Sequence, residues 1–112
     1  MSKLDELIVS YEKHLQEIET TPDVAFLRKV AKGLGPAIYN KDASMVSGTD
    51  EKELETVKNN FLIKKLGLED SPALDKAIAD VIEKYGKSKP NKYRAVVYYL
   101  LAKHFGKEAV YN

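Results

Sequence analysis

From Lys3 to Glu19 the apolar positions Leu4, Ile8, Tyr11, Leu15 and Ile18 recur at spacings of four, three, four and three, with Leu7 alongside. This is the period of an amphipathic helix, and it predicts a first helix over 3–19. The seam lasts about two heptads, short of the three or four of a free-standing coiled coil. It is read as docking on the body of the domain, with a dimer seam as the alternative. Thr21 as cap and Pro22 at the first helical position open a second helix, with Phe26, Leu27, Val30 and Ala31 on one face. Gly33 followed by Leu34 predicts its stop. Pro36 to Tyr39 reads as one helical turn pinning Ile38 and Tyr39 to the core, and Asn40 to Gly48 as an irregular loop plugged by Met45 and Val46.

Asp50 and Glu53 form a capping box for a third helix over 51–66, which buries Leu54, Val57, Phe61, Leu62 and Leu66. Its acids stand in the first turns and Lys64 and Lys65 in the last, matching the helix dipole. Gly67 ends it. Ser71 as cap and Pro72 start a fourth helix, whose face carries Leu74, Ile78, Val81, Ile82 and Tyr85 and which ends at Gly86. No stretch alternates with period two for long enough to predict a sheet.

The longest apolar run lies in YRAVVYYLLAKHF, Tyr93–Phe105. It is too short to cross a bilayer, which takes about 20 apolar residues. On a helix over 92–105, capped by Asn91, one face holds Tyr93, Val96, Val97, Leu100, Leu101 and His104. The other holds Ala95, Tyr98, Ala102 and Phe105, with Tyr99 beside them. Lys92 and Lys103 form the one plainly polar stripe. A helix apolar nearly all round is buried nearly all round, so this helix is the centre of the fold. Ala95 and Ala102 make a groove walled by Tyr98 and Phe105. Another helix of the chain fills it, or else the same helix of a second subunit or a partner does. The fold class expected is all-α: one domain over residues 1–112, a bundle of about five helices around this segment.

Charge changes the picture only locally. The net charge is +1, yet residues 1–23 carry −4, 24–49 carry +3, 50–86 carry −3 and 87–112 carry +5. The blocks read as segments attracting one another within the fold, and the last as the one electrostatic hint of an anionic partner. There is no cysteine, so there is neither a disulfide framework nor thiolate chemistry. The N-terminal stretch lacks the apolar core of a signal peptide, and the cytoplasm is the expected compartment, with no membrane association.

Candidate chemistry is sparse. His14 with Glu17 and His104 with Glu108 have helix-compatible spacing, but each offers two ligands where a site needs three or four, so neither a metal nor a cofactor is expected. His104 reads as a hydrogen-bonded histidine on the core face. Gly33-Leu34-Gly35 lacks the strand before it and the third glycine of a phosphate loop. Neither G-x-S-x-G nor Ser-x-x-Lys is present, and no residues are assigned a catalytic role. Lys87, Lys89, Lys92 and Arg94 cluster around one turn with Tyr93 among them, a possible contact for nucleic acid or another polyanion. A helix-turn-helix built from the third and fourth helices has too long a link and an acidic second helix.

Three blocks, VAKGLGPAIYN, NNFLIKKLGLEDSPALDKAI and NKYRAVVYYLLAKHFGKEAVY, resemble an uncharacterised family of small bacterial proteins, domain of unknown function 2853. The likeness covers nearly the whole chain. It implies a small, soluble, single-domain bacterial protein and supplies no activity or functional residue. The function expected is therefore that of a non-catalytic helical interaction or adaptor protein, able to self-associate or to dock a protein partner through Ala95, Tyr98, Tyr99, Ala102 and Phe105. The alternatives are a polyanion binder acting through 87–94 and an enzyme of unrecognised class.

Overall fold

The computed structural model describes residues 2–19, 21–40, 42–86 and 91–111. Helix α1, Lys3–Gln16, starts at a capping box in which Ser2 and Asp5 satisfy each other's backbone donors. It ends before Ile18, earlier than the apolar period alone predicts. Ile8, Tyr11 and Leu15 are buried, so the seam is closed by this chain's own body. Helix α2, Val24–Leu34, is capped by Asp23, whose side chain accepts the Phe26 N–H at 3.1 Å. The cap thus sits two residues beyond Thr21. Gly33 continues the helix, and Gly35, at φ +65°, ends it. An L-residue is strained at that angle, and that is why the stop falls on the second glycine. A Cβ on Gly33 would also meet the Tyr111 ring at 3.0 Å.

A 3₁₀ turn, Gly35–Tyr39, buries Ile38 but leaves Tyr39 49% exposed, so only one of the two expected pins reaches the core. Met45–Ser47 is a short strand, β1, with Val46 fully buried. Helix α3, Glu51–Thr56, follows, and Asp50 caps it by accepting from the N–H groups of Lys52 and Glu53. The chain then widens into a π-helix over Val57–Lys65, where an α-helix is predicted. The Leu66 N–H reaches back to the Phe61 carbonyl at 2.9 Å, and the widened run still buries Val57, Phe61, Leu62 and Leu66. Helix α4 spans Pro72–Tyr85. Ser71 occupies its cap position, but its side chain makes no capping hydrogen bond.

Asn91–Tyr93 forms strand β2, antiparallel to β1, with Val46 opposite Lys92. Helix α5 therefore begins at Arg94 and runs to His104. Its residues Ala95 to Ala102 are all buried, with α1, α2, α4 and both strands packed around them. Aromatic contacts set this packing. Phe61 stacks on Tyr98 with centroids 3.9 Å apart and planes 9° apart. Phe26 lies against Tyr99 at 5.5 Å, and Tyr11 meets Tyr93 edge-on at 4.8 Å. The tail, a 3₁₀ turn over Glu108–Tyr111, folds back as expected through Tyr111, whose ring meets Phe26 edge-on. Val110 stays exposed. Among the described residues the domain is all-α with one two-stranded ribbon, and its radius of gyration, 13.0 Å, suits one compact core of this length.

Candidate functional site

The residues singled out by sequence are drawn inward. Lys92 is 2% exposed. Its ammonium lies 5.6 Å from the centre of the Tyr85 ring, and its stem passes Gly48 so closely that a Cβ there would stand 3.2 Å from Nζ. Burial pushes its pKa below the ordinary lysine value. Arg94 forms an ion pair with Glu53 and donates to the Ala43 carbonyl at 2.7 Å, the Met45 carbonyl at 3.3 Å and the Tyr98 hydroxyl at 3.1 Å. Burial works against its charge, but Tyr98 and Glu53 outweigh that and leave its pKa raised. Lys92 is thus not part of a polar stripe, and Arg94 is a clip between α5 and the 43–53 region. Lys87 and Lys89 lie outside the described residues.

The second apolar face of α5 is likewise covered. Ala95, Tyr98, Tyr99 and Ala102 are buried by this chain's own elements, and only Phe105 is half-exposed. The Tyr99 hydroxyl accepts the Asp23 N–H at 2.8 Å and donates to Glu19 at 2.9 Å, bracing the turn between α1 and α2. Burial raises the Tyr99 pKa. His104 is exposed, off the core face predicted for it, because α5 ends there and its ring turns to Phe105. His14 is the histidine with a buried partner: its Nδ1 shares a hydrogen bond with the Tyr85 hydroxyl, which also accepts the Tyr93 N–H at 3.2 Å. Among the described residues, no three histidine, cysteine or carboxylate side chains converge on a metal position, and no helix is long and apolar enough to cross a membrane.

The hollows on both sides of α4 are larger than the one of about 190 Å³ beside Leu4, Ala31 and Ile38. On one side two hollows of about 330 and 310 Å³ adjoin, and Leu54 and Ala79 line both. Ile78 and Ile82 complete an apolar floor that runs to Gly48. Four carboxylates stand around it: Glu51 and Glu55 on α3, Asp75 and Glu83 on α4. Among the described lining residues the cation is Lys58, held by Asp70 at 3.5 Å and Asp75 at 3.4 Å, and the buried Lys92 ammonium lies beside the Gly48 end. Desolvation opposes the Lys58 charge, and the two carboxylates more than offset that, so its pKa is raised. The result is an apolar trough under a negative rim, its two parts about 330 and 310 Å³, each at the low end of the range of binding clefts. The sequence did carry a trace of it. Glu51 and Glu55 are one turn apart on α3, and Asp75 and Glu83 stand about two turns apart on α4 with Ala79 between them, so each helix carries two acids on one face. On the other side of α4, against α5, lies a groove of about 560 Å³ floored by Val81 and Leu100.

The chain matches, over residues 10–109, the model of a family described as a protein of unknown function (DUF2853), and it belongs to that family. None of the curated proteins compared with it matches.

Proposed function

We propose that this protein is a non-catalytic helical interaction module that docks a basic, apolar-bearing segment of another protein in the α3–α4 trough. The observation that carries this reading is the apolar floor of Leu54, Ile78, Ala79 and Ile82 under Glu51, Glu55, Asp75 and Glu83. An amphipathic helix with lysines or arginines flanking its apolar stripe matches such a surface in both shape and charge. A polyanion is repelled by the same rim. Of the cations expected to meet it at 87–94, Lys92 and Arg94 are engaged inside the fold, and Lys87 and Lys89 lie outside the described residues. The lack of cysteine fits a reducing compartment, so the cytoplasm is the setting of this proposal.

The test is a fluorescence-anisotropy titration with a labelled helical peptide of lysine and leucine, about 16 residues or ~24 Å long. Its counterpart of glutamate and leucine is the control. The lysine peptide should bind, and binding should weaken as salt screens the rim. Glu51→Lys with Glu55→Lys should weaken it about tenfold or more, a loss of about 1.4 kcal/mol. Glu6→Lys with Glu108→Lys, an equal charge change elsewhere, should leave it nearly unchanged. Equal loss from both pairs, or none from the first, refutes the site.

A further inference from the structure

The α4–α5 groove has a different character from the trough. Two of its lining groups are already engaged: Glu19 accepts from the Tyr99 hydroxyl, and the Lys103 ammonium lies 4.9 Å from the centre of the Tyr99 ring. Asp80, Glu83, Lys84 and His104 also line it around Val81 and Leu100, and among the described residues none of these four side chains makes a hydrogen bond or an ion pair. Opposite charges thus face one apolar floor, with their pairing capacity unused.

We infer that this groove takes a small zwitterion with an apolar tail, an α-amino acid carrying an aliphatic or aromatic side chain. Asp80 and Lys84 stand one helical turn apart, so their side chains begin about 5–6 Å from each other. That offset suits a ligand whose ammonium and carboxylate are joined through one carbon. The ammonium goes to Asp80 with Glu83 beside it. The carboxylate goes to Lys84, with His104 approaching from α5. The side chain lies on Val81 and Leu100 and along the lysine stems, which are themselves apolar. The volume, about 560 Å³, leaves room for any such side chain. Other ligand classes fit less well. Among the described residues a metal ion lacks three converging donors, a polyanion meets Glu19, Asp80 and Glu83, and a polycation meets Lys84 and Lys103. The inference does not depend on the trough reading, because its key residues, Asp80 and Lys84, do not line the trough.

The experiment is a heteronuclear NMR titration of the full chain with L-leucine and L-phenylalanine, then with N-acetyl-L-leucine, which lacks the ammonium, and L-leucinamide, which lacks the carboxylate. The expected result is saturable shifts at 80–84 and 100–104 with the free amino acids, and at least tenfold weaker binding of both derivatives. Asp80→Asn and Lys84→Gln should each weaken leucine about tenfold while leaving the rest of the spectrum in place. Both positions are exposed, so the variants keep the fold. Absence of saturable shifts up to about 10 mM amino acid overturns the inference, as does equal binding of either derivative. Saturable shifts confined to the α3–α4 trough overturn it as well, while leaving the trough reading intact.

Discussion

The guanidinium of Arg94 and the carboxylate of Glu53 form an ion pair that ties the first turn of α5 to the first turn of α3. The Arg94 side chain is 13% exposed, and it also holds the carbonyls of Ala43 and Met45, so one residue fixes the loop, β1 and α3 at once. Arg94→Ala strands a half-buried carboxylate and two carbonyls. It should cost about 3–5 kcal/mol in urea unfolding, the range for breaking a buried pair. Arg94→Lys should recover only part of this, because an ammonium does not reproduce the guanidinium fork. A loss below about 1 kcal/mol for Arg94→Ala would show that the clip is dispensable.

Tyr99 couples the core to the turn between α1 and α2 through its hydroxyl alone. Tyr99→Phe keeps the ring against Phe26 and removes the bonds to the Asp23 N–H and Glu19. The expected cost is about 1–2 kcal/mol. Amide exchange should quicken first at the start of α2, where the Asp23 cap loses its support.

Alkaline pH should unfold the domain through its tyrosines. Burial pushes the Tyr11 hydroxyl up to about 12 and also raises Tyr85, Tyr99 and Tyr111 above the ordinary value. The unfolded chain releases these protons near pH 10, whereas the folded chain keeps them. The unfolded state therefore binds fewer protons above about pH 10, and stability falls as pH rises through that window. Lys92 acts in the opposite direction, since its lowered pKa makes stability rise with pH up to about 10.5, but it is one group against four. The expected result is that tyrosinate absorbance for these four appears together with loss of helical circular dichroism. Tyrosinate formation complete before any helix is lost would contradict the burial.

The buried faces of α5 predict a monomer. Ala102 is fully buried inside the chain, so Ala102→Leu overpacks the core. It should cost about 1–3 kcal/mol without creating or abolishing a dimer. Light scattering on a sizing column should give monomer mass at low and at high salt. A salt-stable dimer would mean that another surface self-associates.

Much of this fold was written in local pattern. The limits of α4 were readable to the residue, because Ser71-Pro72 and Gly86 leave the backbone little choice there. The central place of α5 followed from its apolar run. The paired strands were not readable: three residues each give no alternation, and they form only because the backbone of 45–47 meets that of 91–93 across the fold. The π-helix was hidden because an i→i+5 register leaves the same buried residues as an α-helix in a linear pattern. Glu53 reads locally as half of a capping box, but its partner in the fold is Arg94, distant in sequence. The same reason took Lys92 and Arg94 off the expected basic surface. The trough was legible only as two acids on one face of each of two helices, and nothing local said that they would face each other.

The most direct test of the docking reading is a heteronuclear NMR map of the lysine–leucine peptide on the full chain. The account predicts shifts concentrated at Gly48, at 51–58 and at 75–83, lost when Glu51 and Glu55 are reversed to lysine. Shifts centred on 87–94, or spread evenly over every acidic surface, would contradict it.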